Sequence, residues 1–392
     1  MTGPLTGIRV VELGVWVAAP GAAGILADWG ADVVKVEPPA GDPARTFRRM
    51  LGGRKGEPNA VFELDNRGKR GIVADLATEQ GREVVERLLA RADVFVTNLR
   101  PAALGRLGLA PDDVVARHPG LVYAQITGFG TEGPDCDRAA YDIAAYWARA
   151  GIAESLRQPG GPLPFQRGGM GDHSASMTAA GMISAALVEK ARTGRGQVVS
   201  TSLLRQGAYT LGFDVNIGLM WGRTVAAGVR ETMGSPTVNN YVAGDGRPFW
   251  LVGLEGARHW PALARAVGRP EWLTDERFAE PRGRAMNAAA LIAELDAIFA
   301  TRPLSEWAEI FDAEPDLFWS PVNSLDDLLV DEQFWASGAV VAVPDEEGEK
   351  AMVATPADFG GRPPSPRWRA PLLGEHTDEV LAELGFEAAE EA

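Results

Sequence analysis

The sequence predicts an α/β protein built on a parallel sheet. In the first half of the chain, short apolar segments rich in β-branched residues alternate with segments of helical length and period. The strand-like segments are apolar throughout, which is typical of a parallel sheet covered by helices on both faces. This alternation favours a Rossmann-like arrangement with right-handed crossovers. The dinucleotide fingerprint G-x-G-x-x-G is missing after the first strand, so the sheet does not by itself imply NAD.

The predicted elements follow one another in a regular order. The strands of the large sheet are expected over residues 7–13, 31–37, 71–76, 93–99 and 121–130, with a further strand beginning at Val198. The helices between and after them are expected over residues 19–30, 78–92, 141–151 and 173–192. A looser, glycine-containing stretch over about 205–240 leads to a strand and then a helix within residues 247–268.

Three segments are expected from this order. Residues 1–224 form the large Rossmann-like domain, and residues 225–330 form a smaller α/β domain with a core of its own. Residues 331–392 are rich in proline and acidic residues and return to the large domain.

The bulk composition excludes some classes of function. The 392 residues carry a formal net charge of -15, which argues against a protein devoted to nucleic acid or to an anionic membrane surface. A local basic pocket remains compatible with this charge. The single cysteine, Cys136, rules out an intrachain disulfide and is typical of a reducing compartment. No metal site is expected, because the four histidines lack ligand spacing; they are His118, His173, His259 and His376.

The apolar segment near the N-terminus does not have the pattern of a targeting signal. It lacks a basic region, contains Glu12 and continues into a strand. No run reaches the roughly 18 apolar residues that a membrane span needs. We therefore expect a soluble cytoplasmic protein.

The stretch GGMGDHSASMTAAGMISAAL, residues 168–187, sets Asp172 between a glycine-rich approach and a helix. Two roles are open for this aspartate. It can cap the helix through a backbone N–H, or it can act as a covalent nucleophile, held ionised by the positive end of the helix. His173 is adjacent on the helix and points about 100° away, so we expect it outside the reacting centre. Three glycines would let a substrate approach closely; they are Gly168, Gly169 and Gly171.

Basic and amide side chains cluster at predicted strand ends. Asn98, Arg100 and Arg106 follow one strand, at the edge where open α/β sheets bind ligands. A second cluster contains Arg67, Lys69 and Arg70, and a third contains Arg45. Surface arginines at turns are the plainer interpretation of each cluster. Three such clusters in an acidic protein favour a phosphate-rich ligand. Elsewhere, Tyr141 and Asp142 open a helix, where the acid can be an ordinary first-turn residue.

Taken together, a series of segments resembles the class III CoA-transferase family, also called the CaiB/BaiF family. It includes LTGIRVVEL, GILADWGADVVKVEPPAGDPAR, NRGKRGIVADL, NLRPAALGRLGL, GPDCDRAAYD and GDHSASMTAAGMISAAL, in that order. The resemblance covers nearly the whole chain and is densest over residues 5–204. It implies an interlocked homodimer in which each ring-shaped chain threads through the other, with CoA on the Rossmann-like domain. It implies acyl-CoA and carboxylic acid substrates, no cofactor beyond CoA, and no metal.

The resemblance also assigns residues. Asp172 corresponds to the family's nucleophile, which forms an acyl anhydride and then an aspartyl-CoA thioester. The implied CoA contacts are Asn98, Arg100, Arg106, Lys69, Arg70 and, more weakly, Arg45. The implied substrate pocket contains Trp16, Tyr141, Asp142, Gly169 and Gly171.

Two alternatives remain open beside CoA transfer. The same superfamily contains 2-methylacyl-CoA racemases, which use the equivalent aspartate together with a histidine where this chain has Tyr141. A tyrosine with a pKa near about 10 is a poor base at neutral pH, so racemisation is disfavoured. Glu255 resembles an acid of the racemases, although a helix-start glutamate explains it equally well. A CoA-binding protein without catalysis is the other alternative, and the retained Asp172 argues against it.

Overall fold

The computed structural model describes residues 3–225, 228–231 and 235–386. The chain forms two compact units. The first takes in Met1–Leu156, Leu163–Val225 and Glu332–Ala392, and the second takes in Arg157–Pro162 and Ala226–Asp331.

The first unit is built on a six-stranded sheet in which every neighbouring pair is parallel. Its strands are β1 (Arg9–Leu13), β2 (Asp32–Glu37), β3 (Arg70–Val73), β4 (Val94–Thr97), β5 (Val122–Thr127) and β6 (Val198–Ser202). Their spatial order is β3-β2-β1-β4-β5-β6. The predicted parallel sheet is confirmed. The order reverses between β1 and β4, and such sheets bind ligands beyond the carboxyl ends of the strands at that point.

Helices connect these strands. They are α1 (Ala18–Asp28), α2 (Phe47–Met50), α3 (Ala60–Asn66), α4 (Glu79–Leu89), α5 (Pro101–Arg106), α6 (Pro111–Arg117), α7 (Ile152–Ser155), α8 (Met170–Thr193), α9 (Leu203–Thr210) and α10 (Gly212–Trp221). A 3-10 turn covers Pro43–Thr46, and the helix predicted over 141–151 is a π-helical segment, Ile143–Arg149.

The stretch predicted to be loose over 205–240 is more regular than expected. Ser202 ends β6 and caps α9, since its side-chain oxygen accepts from the N–H of Arg205. Two helices, α9 and α10, follow one another over residues 203–210 and 212–221. Residues 226–227 and 232–234 of the stretch lie outside the described residues.

Each face of the sheet has its own core. On one face α1 and α8 pack through small side chains, which lets the two helices approach closely; they include Ala19, Ala22, Ala23, Ala179 and Ala180. At Gly21 an added Cβ would lie 2.6 Å from Ser176 Oγ, so this position has no room for a side chain. On the other face α4 buries Val85 and Leu89 against Phe95 and Tyr123. The wholly apolar strands follow from burial on both faces.

The second unit has a small antiparallel sheet of β7 (Val238–Val242), β8 (Pro248–Val252) and β9 (Trp319–Pro321). Its helices are α11 (Gly256–Ala266), α12 (Pro281–Met286), α13 (Ala288–Phe299), α14 (Leu304–Asp312) and α15 (Leu325–Leu329), with a 3-10 turn over Pro270–Leu273. Aromatic side chains dominate its core; they include Tyr241, Phe249, Phe299, Trp307 and Phe311. The strand and helix predicted within 247–268 correspond to β8 and α11.

The C-terminal part of the described chain belongs to the first unit. It contains α16 (Glu332–Ala336), a hairpin of β10 (Val340–Asp345) and β11 (Gly348–Val353), and α17 (Thr377–Glu383). The N–H of His376 donates to the carbonyl of Gly71, and Arg67 donates to the carbonyl of Val353, which attaches this segment to the sheet. Among the described helices, none has the length and apolar character that crossing a bilayer requires.

Candidate active site

Asp172 lies in the first turn of α8, at the third helical position. Gly169 occupies the cap position in the left-handed conformation, with φ 81°, and has no side chain that could cap the helix. The Asp172 carboxylate makes no hydrogen bond to any residue in the described part of the chain, so the capping interpretation is not supported. A carboxylate without protein partners is available to react.

A cleft of about 70 Å³ opens in front of Asp172. It is formed at the carboxyl edge of the sheet, by the loop after β1 and the ends of β4 and β5. Its lining contains Trp16, Val17, Ala18, Asn98, Ile126, Thr127, Gly128, Ala140, Tyr141 and Leu203. The position beside the reversal of strand order is where an open α/β sheet binds its ligand.

The pKa of Asp172 is raised to about 7, mainly by burial and also by the negative charge of Asp142. The positive charge of His173 lowers this pKa, whereas the negative charge of Asp65 raises it. This raised pKa opposes the expectation that the positive end of the helix holds Asp172 ionised at neutral pH. Desolvation and two neighbouring carboxylates outweigh the helix terminus, and the group titrates near neutral pH.

Asp142 is one of these neighbours, at the start of the π-helical segment. It is 8% exposed, and its Oδ2 accepts from Gln166 Nε2 at 2.9 Å. Asp142 is thus held in place by the segment that leads into α8. The family resemblance placed Asp142 in the substrate pocket, but it does not line the cleft. Asp142 instead acts on Asp172 through its negative charge.

A histidine–aspartate pair begins at the residue that follows Asp172 in the chain. His173 Nε2 lies 3.0 Å from Oδ1 of Asp65, a residue of α3 that is 2% exposed. This hydrogen bond raises the pKa of His173, and burial raises the pKa of Asp65. The hydrogen bond to Asp65 therefore favours the protonated form of His173, one residue from Asp172. Asp65 was not predicted from the sequence, because 108 residues separate it from His173 and no motif joins them.

The glycines around Asp172 have a different role from the one predicted. At Gly171 an added Cβ would lie 2.5 Å from Cγ of Tyr146, and at Gly169 it would lie 3.2 Å from the ring of His173. Neither residue lines the cleft. These two glycines make room for protein side chains. At Gly168, by contrast, an added Cβ would meet no atom within 4 Å.

The loop after β1 forms the aromatic wall of the cleft. Trp16 has φ 66°, and its ring lies edge-on to Tyr141 at 5.7 Å and to Phe47 at 5.4 Å between ring centroids. Asn98 holds the preceding residue, accepting from the N–H of Val15 at 3.0 Å and donating to its carbonyl at 2.7 Å. Asn98 thus shapes the cleft as well as lining it.

Three of the predicted CoA-contacting residues lie beyond this edge of the sheet. Arg100 and Arg106 flank α5 and are exposed, and Arg100 donates to the carbonyl of Asp137 at 3.3 Å. Arg45 follows β2, where it pairs with Glu37 and lies over the ring of Phe62 at 4.3 Å.

The structure separates Lys69 and Arg70 from the Asp172 cleft. The Lys69 ammonium is fully buried and donates to Glu12 at 2.6 Å, to the carbonyl of Pro20 and to Asn66. Arg70 begins β3 and pairs with Asp32 at the start of β2, so it lies at the amino edge of the parallel sheet. The sequence pattern placed both residues in a strand-end loop without showing which end of the strand the loop belongs to.

The described residues contain no group of three or more His, Cys, Asp or Glu side chains that could hold a metal. In the second unit, Glu255 stands at the N-cap position of α11, with an exposed side chain.

Comparison with known proteins gives consistent matches over the whole chain. The sequence pattern of CoA-transferase family III matches residues 5–377. The (R)-2-hydroxy-4-methylpentanoate CoA-transferase of Clostridioides difficile is 33% identical over 389 residues, covering 98% of this chain and 96% of that protein. The cinnamoyl-CoA:phenyllactate CoA-transferase of Clostridium sporogenes is 32% identical over 393 residues, covering 98% and 94%. A crystal structure of a CAIB/BAIF family protein from Brucella suis matches with a TM-score of 0.84 at 32% identity, covering 98% of this chain and 100% of that one.

Proposed function

The chain belongs to CoA-transferase family III and has acyl-CoA:carboxylate CoA-transferase activity; on this premise we propose that Asp172 is its nucleophile. The observation that supports this proposal is the unpartnered Asp172 carboxylate facing a cleft at the ligand-binding edge of the sheet. A buried carboxylate that titrates near neutral pH is partly ionised under physiological conditions, and it is poorly solvated, which increases its reactivity.

The proposed reaction has four balanced steps. The Asp172 carboxylate attacks the thioester carbonyl of the donor, forming a mixed anhydride and releasing CoA thiolate. The thiolate attacks the Asp172 carbonyl, which releases the first acid and leaves an aspartyl-CoA thioester. The carboxylate of the acceptor acid attacks that thioester, giving a second anhydride and CoA thiolate. The thiolate finally attacks the acceptor's carbonyl, which yields the new acyl-CoA and regenerates the Asp172 carboxylate.

We assign the CoA-binding side of the site to Asn98, Arg100 and Arg106, which lie at or beyond the carboxyl edge of the sheet, where a guanidinium can pair with phosphate oxygens. Arg100 and Arg106 are exposed, and Arg100 makes one hydrogen bond, to the carbonyl of Asp137. Lys69, Arg70 and Arg45 are not part of this assignment, because their side-chain donors already bind carboxylates or carbonyls of the protein itself.

We assign the aromatic side of the cleft to the acyl group. Trp16 and Tyr141 offer apolar surface opposite Asp172, which favours an apolar acyl chain. The two relatives named above act, by name, on (R)-2-hydroxy-4-methylpentanoate and on cinnamoyl and phenyllactate groups, which end in branched or aromatic carbon.

A homodimer is also proposed, in the interlocked form that the family resemblance implies. The helix α10 is apolar, yet none of its described residues is buried. Phe213 is 89% exposed and Met220 is 79% exposed. Patches of this kind on one chain are typical of a protein interface. Light scattering at micromolar concentration tests the assembly.

The test of the nucleophile is a transfer assay with the isosteric variant. Asp172→Asn removes the nucleophile with little change in shape, and we expect the transfer rate to fall by about a thousandfold or more. Solvent deuterium at the α-carbon of a 2-methylacyl-CoA is measured in parallel. The relatives named above are transferases, which does not favour racemisation. Exchange at the α-carbon without transfer would overturn the proposal.

A further inference from the structure

Trp16 is the one non-glycine residue of the described chain with a left-handed backbone, at φ 66°. Large side chains rarely adopt this conformation, and strained residues of this kind persist only where the surrounding structure fixes them. Trp16 also lines the cleft in front of Asp172. A strained residue at a binding cleft needs a restraint that holds its backbone in place, and it is a candidate for a functional role.

The restraint is a hydrogen bond from the Trp16 backbone to a buried carboxylate. The N–H of Trp16 donates to Asp42 Oδ1 at 3.0 Å, and the same oxygen accepts from the N–H of Ala44 at 2.9 Å. Asp42 is 2% exposed, and its own N–H donates to Glu37. One carboxylate oxygen therefore fixes the loop after β1 against the loop after β2.

The second oxygen of Asp42 begins a chain of buried charges. Lys35 donates to Asp42 Oδ2 at 2.9 Å and to Glu12 Oε1 at 2.8 Å, and Lys69 donates to Glu12 Oε2 at 2.6 Å. The side chains of Lys35, Glu12 and Asp42 are fully buried, as is that of Lys69. Two ammonium groups and two carboxylates balance one another. Asp42 therefore cannot rotate away from Trp16 without breaking its own buried ion pair with Lys35.

The conformation of Trp16 decides where its indole lies. The ring packs edge-on to Tyr141 and to Phe47, so three aromatic rings form one continuous wall. Trp16 and Tyr141 line the same cleft as Asp172. A change in the Trp16 backbone would move this wall relative to the nucleophile.

We propose that Asp42 is a positioning residue for acyl selectivity: by holding Trp16 in its left-handed conformation it fixes the wall that decides which acyl groups reach Asp172. This inference rests on the proposed function of the Asp172 cleft. Asp42 acts through Trp16 and does not itself touch the substrate.

Acyl selectivity tests the proposal, because a general loss of stability lowers every rate and leaves selectivity unchanged. The ratio of kcat/KM for 4-methylpentanoyl-CoA to that for propionyl-CoA is measured in the wild type, Asp42→Asn and Asp42→Ala. We expect the ratio to change by about tenfold or more in Asp42→Ala, with a smaller change in Asp42→Asn, which keeps an acceptor oxygen. If Asp42→Ala does not fold, Asp42→Asn decides the test.

A matched control breaks another buried ion pair of the same unit. Asp28 pairs with Arg67 at 2.7 Å, and each side chain is 1% exposed. Asp28→Asn should destabilise the protein without changing the selectivity ratio. In a Trp16→Ala background, Asp42→Ala should cause no further change in the ratio, because the wall that it positions is gone.

Three results would overturn the inference. They are an unchanged ratio in both Asp42 variants, an equal change in Asp28→Asn, and a full additional change in the Trp16→Ala background. Formation of a covalent adduct at Asp172 is followed in each variant. If the wild type forms no adduct, the proposed function is contradicted. If the adduct forms but the selectivity ratio does not respond, only the inference about Asp42 is contradicted.

Discussion

Replacing Asp172, the proposed nucleophile, should stabilise the protein at alkaline pH. In the native state the pKa of Asp172 is raised from 3.8 to about 7, mainly by burial. A group whose pKa is raised on folding supports stability at low pH, and this support is lost as the pH rises from about 4 through about 7. Above that range the native protein carries the full cost of a buried charge. The variant Asp172→Asn keeps the shape and removes the charge.

The magnitude follows from the size of the shift. About three pKa units at about 1.36 kcal/mol each give roughly 4 kcal/mol as the upper limit at pH 8. At pH 5 the unfolded carboxyl is mostly ionised and the native one is protonated, which leaves a cost of roughly 2 kcal/mol. The advantage of Asp172→Asn should therefore grow by roughly 2.5 kcal/mol between pH 5 and pH 8. Burial of the amide has its own cost, but that cost does not depend on pH.

The assay is urea unfolding of the wild type and of Asp172→Asn at both pH values and one fixed protein concentration. Asp113→Asn is the matched control, since Asp113 also occupies the third position of a helix, α6, but is exposed. It should not stabilise the protein at pH 8, because it loses a favourable charge at a helix N-terminus. An advantage of Asp172→Asn that is the same at pH 5 and pH 8 would refute the reasoning.

Three further predictions concern the site. The rate of covalent adduct formation should rise about tenfold from pH 6 to pH 8 as Asp172 ionises, and its midpoint should move to lower pH in Asp142→Asn; a flat profile in stopped-flow measurements would contradict the assigned titration. Asp65→Asn should lower the pKa of His173, because the hydrogen bond that raises it is weakened. NMR titration measures this pKa on the imidazole resonance that is absent from the spectrum of His173→Gln. An unchanged pKa would exclude the pairing of His173 with Asp65. Arg106→Ala should raise the KM for acyl-CoA about tenfold, and by more at low salt than at high salt. Arg70→Ala, at the opposite edge of the sheet, should leave this KM unchanged. Equal effects of the two variants in steady-state assays would contradict the placement of the CoA site.

The sheet and the helix that follows the glycine-rich segment were accessible from the sequence because both depend on local patterns, whereas the role proposed for Asp172 rests on the family resemblance. Strands buried on both faces are apolar throughout, and the glycine-rich approach to α8 marks where the chain turns into the helix. The helices over 203–221 were missed, since α10 buries none of its residues and has no amphipathic pattern to reveal it.

The electrostatics of the site could not be predicted, because they depend on contacts between distant residues. Asp65 approaches His173 from α3, and Asp142 lowers the acidity of Asp172 from a different segment. The buried partners of Lys69 likewise come from β1 and α1. A lysine beside an arginine in a loop has the same pattern whether it binds a phosphate or a buried glutamate.

The most direct test of the central claim is intact-mass analysis after incubation with a panel of acyl-CoAs. The wild type should gain an acyl or CoA adduct that hydroxylamine removes, and peptide mapping should place it on Asp172. Asp172→Ala should gain none, whereas Tyr141→Phe should still form the adduct. An adduct that persists in Asp172→Ala, or active transfer without any adduct on the wild type, would contradict the account.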